Sequence, residues 1–152
     1  MDFELKTLDA LRASAEKCDA LVVLVPEGFG PGQDPVSRLV AEAVKSGAFE
    51  PKPGKSLAAW RPEGVAAGRV LLAGVGDGSA RRVQSAVASA VAGLRGAAVK
   101  KLAVLLPAGA DARAVRAAVS AVSEASYVYV STKSKPEGRA IATVVVGVAD
   151  AA

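Results

Sequence analysis

Apolar and polar positions alternate with two different periods along this chain. Ala20-Leu21-Val22-Val23-Leu24-Val25 is continuously apolar and mostly branched. That run predicts a central strand covered on both faces. Phe3-Glu4-Leu5-Lys6 alternates strictly and predicts a short strand with one wet face. Val36, Leu39, Val40, Ala43 and Val44 recur at helical spacing behind Asp34-Pro35. Asp34 is placed to cap that helix, Pro35 suits its first turn, and Gly47 is placed to end it. Ser56–Trp60 and Arg69–Ala73 read as two strands joined by Arg61-Pro62-Glu63-Gly64. The turn Gly74-Val75-Gly76-Asp77-Gly78 leads into a helix with the stripe Val83, Val87, Ala90, Val91 and Leu94, stopped at Gly96.

Lys101–Leu106 reads as another buried strand, closed by Pro107. Asp111 opens a third helix with the stripe Val115, Ala118, Val119 and Val122. Tyr127–Val130 predicts a short strand, Ser131–Gly138 a surface loop, and Ala140–Val148 the last strand. Strands alternating with helices imply an α/β fold with a mixed, mostly parallel sheet and helices on both faces. Residues 1–152 are an ordinary length for a single domain.

Composition narrows the chemistry. The chain has no histidine, which excludes a Ser-His-Asp triad, a histidine base and histidine-ligated metals within it. Its one cysteine, Cys18, excludes an internal disulfide and a Cys-rich zinc site. Cys18 precedes a core strand and is expected to be a buried, inert thiol. No apolar run approaches the ~20 residues of a membrane span. The first residues mix charge with apolar side chains, so no signal peptide is expected, and a cytoplasmic location is. Carboxylates are scattered, with no pair at i, i+3 or i+4 on a predicted helix, so neither a paired-carboxylate nor a metal site is expected.

Two features remain as candidate binding sites. A strand, a glycine-rich turn and a helix start can offer free amides to an anion, which makes Gly74, Gly76, Asp77 and Gly78 candidate ligand contacts. The full dinucleotide fingerprint is absent, because Ser79 stands where a third glycine belongs. The bland alternative is that these glycines simply turn the chain. Net charge is +4, and from Asp77 onward ten Lys or Arg face five Asp or Glu. Arg81, Arg82, Lys100 and Lys101 are candidate phosphate contacts, with Arg113 and Arg116 beside them. Aromatics at 4% argue against stacking on single strands. A solvated basic surface is the plain alternative.

Several segments in order resemble a known family. Gly47-Ala48-Phe49-Glu50-Pro51-Lys52-Pro53-Gly54-Lys55-Ser56-Leu57 resembles a Gly-x-Phe-x-Gly-Lys-x-Gly-x-x-Leu stretch of the N-terminal domain of leucyl (cytosol) aminopeptidases. Arg69-Val70-Leu71-Leu72-Ala73-Gly74-Val75-Gly76 resembles that domain's Arg-x-Leu-Leu-x-Gly-Leu-Gly run. Tyr127–Lys133 resembles its Tyr-x-Phe-x-x-Tyr-Lys run, with Thr132 in place of the aromatic. The resemblance implies a three-layer, macro-domain-like fold. It implies a non-catalytic domain that helps assemble a hexamer and shapes access to the active sites. The family's enzymes release N-terminal residues from peptides with two metals, zinc or manganese. Those metals and the catalytic residues belong to a catalytic domain whose Asn-Thr-Asp-Ala-Glu-Gly-Arg signature this sequence lacks. The implied partners are that catalytic domain and further copies of the parent, with DNA in some bacterial members. A nucleotide or ADP-ribose-like ligand at the glycine turn is the competing expectation.

Overall fold

The computed structural model describes residues 2–7, 14–27, 35–52, 54–60, 64–76, 78–93, 100–106, 112–132 and 143–148. Strands β1 (Asp2–Thr7), β2 (Ala20–Pro26), β3 (Ser56–Trp60), β4 (Arg69–Gly76), β5 (Lys101–Leu105) and β6 (Thr143–Val148) form one sheet. Helices α1 (Pro35–Ser46), α2 (Ala80–Gly93) and α3 (Ala112–Thr132) lie between them. The strand order is β1-β6-β5-β2-β4-β3. All neighbours are parallel except β3, which runs antiparallel to β4.

The alternation of side chains along each strand divides the core in two. Val22, Leu24, Val75, Leu102, Val104, Val144 and Val146 face Val83, Val87 and Val91 of α2 and Ala114, Ala118 and Val122 of α3. Leu21, Val23, Val25, Val70, Leu72, Ala103, Leu105 and Val145 face Val36, Val40 and Ala43 of α1, with Phe49 and Ala67. The result is three layers, with α1 on one face of the sheet and α2 and α3 on the other. β2 lies between the two cores and is buried from Ala20 to Val25, as its unbroken apolar run requires. Each fully buried Val or Leu is worth about 1.5–3 kcal/mol of transfer free energy.

Polar groups pin the strand starts. The Asp19 carboxylate accepts from the backbone N–H of Lys100 at 2.8 Å and of Lys101 at 2.9 Å. The Asp19 N–H donates to the Lys101 carbonyl at 3.0 Å. Ser14, itself buried, accepts the N–H of Val36 in the first turn of α1 at 3.2 Å. That donor is therefore capped from 22 positions away in sequence, while the expected cap Asp34 lies outside the described residues. Gly47 takes φ 81°, the left-handed conformation expected just past the helix end.

Several expectations are corrected. Tyr127–Val130 is not a strand, and Ser131 and Thr132 are not loop: all continue α3 to Thr132. No glycine or proline interrupts the sequence between Asp111 and Pro136. The branched and aromatic residues there cost a growing helix only tenths of a kcal/mol each. Gly74, Val75 and Gly76 are strand rather than turn, because β2 pairs with Gly74 through Val25 and with Gly76 through Pro26, the register shifting by one at Val75. The apolar face of β1 is not dry. Phe3 and Leu5 are 38% and 56% exposed at the sheet edge. On α1, Val44 is exposed and Ser37 is buried in place of the expected stripe member. On α3 the buried stripe is rotated to include Ala114 and Ala121, leaving Val115 and Val119 half-buried. Leu94, Gly96, Pro107, Asp111, the residues 133–138 of the expected loop and 140–142 of the last strand lie outside the described residues.

Candidate functional site

The glycine turn sits at the C-terminal end of β4, beside the end of β2. β2 leads to α1 on one face of the sheet, and β4 leads to α2 on the other. Adjacent parallel strands whose helices leave to opposite faces open a crevice at their C-terminal ends, the usual ligand position in such sheets.

The glycines differ in what they do there. A Cβ on Gly74 would run into the backbone of Lys52. Its N–H donates to the Lys55 carbonyl at 2.9 Å. Gly74 therefore lets the chain at Lys52–Lys55 cross the end of β4, and that segment occupies the space a side chain would take. Gly76 and Gly78 have φ of 55° and 75° and need glycine for their backbone shape. The Gly76 carbonyl accepts from Glu27 N–H at 2.8 Å, and Gly78 N–H donates to Val75 at 2.9 Å. Ser79 then caps α2, its hydroxyl accepting from Arg82 N–H at 3.5 Å. Asp77 lies outside the described residues.

The basic candidates divide between the two ends of the sheet. α2 and α3 each follow one parallel strand and precede another, so both run opposite to the strands and start at the same end. Arg81, Arg82 and Arg113 lie exposed in those two first turns, where neither helix has an acidic residue, and Arg116 follows one turn later, its Nε donating to the Ala112 carbonyl at 3.4 Å. A cation near a helix N-terminus opposes the helix dipole. Among the described residues Arg81, Arg82 and Arg113 have no ion-pair partner. Lys100 and Lys101 sit at the opposite end, roughly 20 Å away along the strands. The Lys101 ammonium is paired with Glu16 at 3.2 Å. The arginines and the lysines do not form one surface.

Glu16 is the charged centre that sequence reasoning missed. It accepts from Lys6 at 3.1 Å as well as from Lys101. Burial alone would raise its carboxyl, but the hydrogen bonds from Lys6 and Lys101 outweigh that and hold it below its usual value. The hydrogen bond to Glu16 correspondingly raises Lys6. Neither partner is near in sequence, so no local pattern signals the cluster. Cys18 is pushed up to about 11, by burial first and by Glu16 next, and its thiol points at the Glu16 carbonyl. It is a thiol, not a thiolate, at neutral pH.

Among the described residues no three His, Cys, Asp or Glu side chains come together as a metal site would require. The divalent ions implied by the resemblance therefore do not fit these residues. No helix among the described residues is long and apolar enough to cross a membrane.

Comparison with known proteins identifies the relatives. Residues 33–136 match the model for the N-terminal domain of the cytosol aminopeptidase family. A probable cytosol aminopeptidase of Albidiferax ferrireducens is 51% identical over 150 residues, 99% of this chain and 31% of that protein. One from Verminephrobacter eiseniae is 50% identical over all of this chain and 29% of its own length. One from Methylibium petroleiphilum is 34% identical over 88% of this chain. The chain thus spans about 30% of the length of the curated relatives it matches. A mutant tomato leucine aminopeptidase has the same fold, with a TM-score of 0.74 over 100% of this chain and 33% of that one, at 17% identity.

Proposed function

Since this chain belongs to the cytosol aminopeptidase family as its N-terminal domain, we propose that it is a non-catalytic part of a two-metal aminopeptidase. Its role is to help assemble the parent hexamer and to shape access of peptides to active sites carried elsewhere. The observation that carries this reading is one of inventory. The relatives named for the activity are about three times longer, so most of their length lies outside the stretch this chain matches. Zinc or manganese, the peptide and the catalytic groups are then the business of the catalytic domain, which is the first partner of this one.

The test is direct. The purified chain is given a chromogenic leucine substrate with zinc or manganese, alone and mixed with the catalytic portion of a relative. We expect no release by the chain alone. Hydrolysis at an ordinary aminopeptidase rate without a partner chain would sink the proposal.

One observation favours a second reading, an accessory surface for DNA. Arg81, Arg82, Arg113 and Arg116 gather at two neighbouring helix starts against the preference of both helix dipoles. Phosphates would satisfy the arginines. Duplex binding should then weaken steeply with salt, and each arginine that contacts a phosphate should add about one to the slope. Removing Arg81 and Arg82 should flatten that slope, and removing Lys100 should not. Absent or salt-independent binding rejects the reading. A nucleotide-like ligand at the glycine turn is the remaining alternative, and calorimetry with ADP-ribose would detect it.

A further inference from the structure

The helix cover on one face of the sheet stops a strand short of its edge. Phe3 stands opposite Val144 and Leu5 opposite Val146 in the parallel register of β1 and β6. Side chains opposed in this way lie on the same face. Val144 and Val146 are buried there, in the core that α2 and α3 cover. Phe3 and Leu5, one strand further out, are exposed. Glu4 and Lys6 alternate with them and belong to the other face, where the Lys6 ammonium meets Glu16 at 3.1 Å and Glu4 at 3.9 Å. β1 is therefore satisfied on its polar side and bare on its apolar side. The far edge also exposes one large apolar side chain, Trp60, but the Arg69 guanidinium stacks on its ring, 3.7 Å from the centre.

We propose that the apolar face of β1 seats the polypeptide that immediately follows β6 in the full-length parent, laid beside α3 on Phe3 and Leu5. This chain matches the N-terminal domain of its family and spans about 30% of its relatives. The greater part of such a protein therefore comes after β6. β6 is paired with β1 along its whole length, ending with Val148 opposite Thr7. The following polypeptide thus starts one strand spacing, about 4.8 Å, from β1. Its direction agrees. α2 and α3 lie on this face, and each carries the chain one step toward β1, from β4 to β5 and from β5 to β6. The next stretch packed on the same face falls over β1. Trp60 lies four strands away from that departure point.

Size selects the same chain over a separate partner. Two side chains offer far less than the ~1,600 Å² of a stable complex between free molecules. A segment tethered at the end of β6 needs no such area, because a short tether holds it near the seat at an effective concentration of about millimolar. The occupant is accordingly a segment with apolar side chains along one side, turned onto Phe3 and Leu5. Seated there, it would fix the path by which the catalytic portion leaves this domain. The inference rests on the parent relation proposed above.

A photoreactive benzoylphenylalanine is placed at the position of Leu5 in the full-length parent, and at that of Trp60 as a control. After irradiation the linked peptides are identified by mass spectrometry. The Leu5 position should link within one chain to residues shortly after β6, and the Trp60 position should not. Leu5→Glu puts a charge into the seat. In the full-length parent it should speed proteolytic cleavage just after β6 by about fivefold, the part of a leucine's burial that its exposure leaves to be gained. Trp60→Glu should leave that cleavage unchanged. Links to a second copy, links to a separate protein, no link at all, or cleavage indifferent to Leu5→Glu overturns the proposal. Leucine release by the N-terminal chain alone would sink the proposed function and leave a mapped contact standing. A Leu5 position that links to nothing removes the contact and leaves the non-catalytic reading intact.

Discussion

Gly74 and Gly78 stand four positions apart in one motif, yet they are constrained by different physics. Gly78 needs glycine for its φ of 75°, and alanine there should cost about 1 kcal/mol. Gly74 needs it because Lys52 backbone fills the space of a Cβ. Gly74→Ala must push two backbones apart in a buried strand, and we expect a loss of about 2–4 kcal/mol. Urea denaturation of both variants, followed by Trp60 emission, would separate them; equal losses would refute the distinction. The motif was legible in the sequence, but its reason was not. The residue that crowds Gly74 lies 22 positions earlier, and no local pattern announces that approach. Glu16 was invisible for the same reason. Its carboxyl is held below its unfolded value by Lys6 and Lys101. The cluster's contribution is therefore complete above the ordinary carboxylate range and is lost as pH falls through the folded value. Glu16→Gln should cost about 0.5–1 kcal/mol at neutral pH, a partly exposed cluster being worth no more. That difference should close in acid, where the wild-type carboxyl is protonated too. A cost independent of pH would show that packing, not charge, is what Glu16 supplies.

At the scale of elements, the strands and helices that bury a regular stripe were readable. β2 announced itself by an apolar run with no polar break, and α1 by Val36, Val40 and Ala43 at helical spacing. α3 was misread at its end because Tyr127–Val130 has the composition of a strand. Composition decides little in four residues when a helix already under way meets no breaker. The joints between elements were not readable. Asp19 precedes β2 and looks like an ordinary surface acid, yet its carboxylate takes two N–H groups at the start of β5. Asp19→Ala frees both donors, and hydrogen bonds to a charged acceptor are worth about 1.5–3 kcal/mol each when shielded and less when exposed. These are exposed, so we expect a total loss of about 1–2 kcal/mol, with Asp19→Asn recovering part of it. Faster amide exchange at Lys101 than at Leu102 in the alanine variant would locate the damage at the joint. Uniform exchange across β5 would argue against it.

For the whole molecule, the layers could be inferred from strand–helix alternation, but the strand order could not. Nothing local tells β5 to cross to the far side of β2 rather than to add beside β4. The order follows from which faces the helices must cover. With right-handed crossovers, a helix on one face carries the chain one way along the sheet and a helix on the other face carries it back; α1 leads from β2 toward β4, so α2 and α3 on the opposite face lead back past β2 to β5 and β6. This order grades the sheet from its centre. β2 is paired on both sides and buried on both faces; β4 and β5 flank it; β6 follows; β1 and β3 each have one neighbour. Native-state amide exchange should follow the same sequence, because opening an edge strand breaks one ladder and exposes little apolar surface. Val22 and Val23 should exchange only through global unfolding, while the inward amides of β3, at Leu57 and Ala59, should exchange through local opening. Equal protection of β2 and β3 would mean that the sheet opens only as a whole and that an edge position costs a strand nothing.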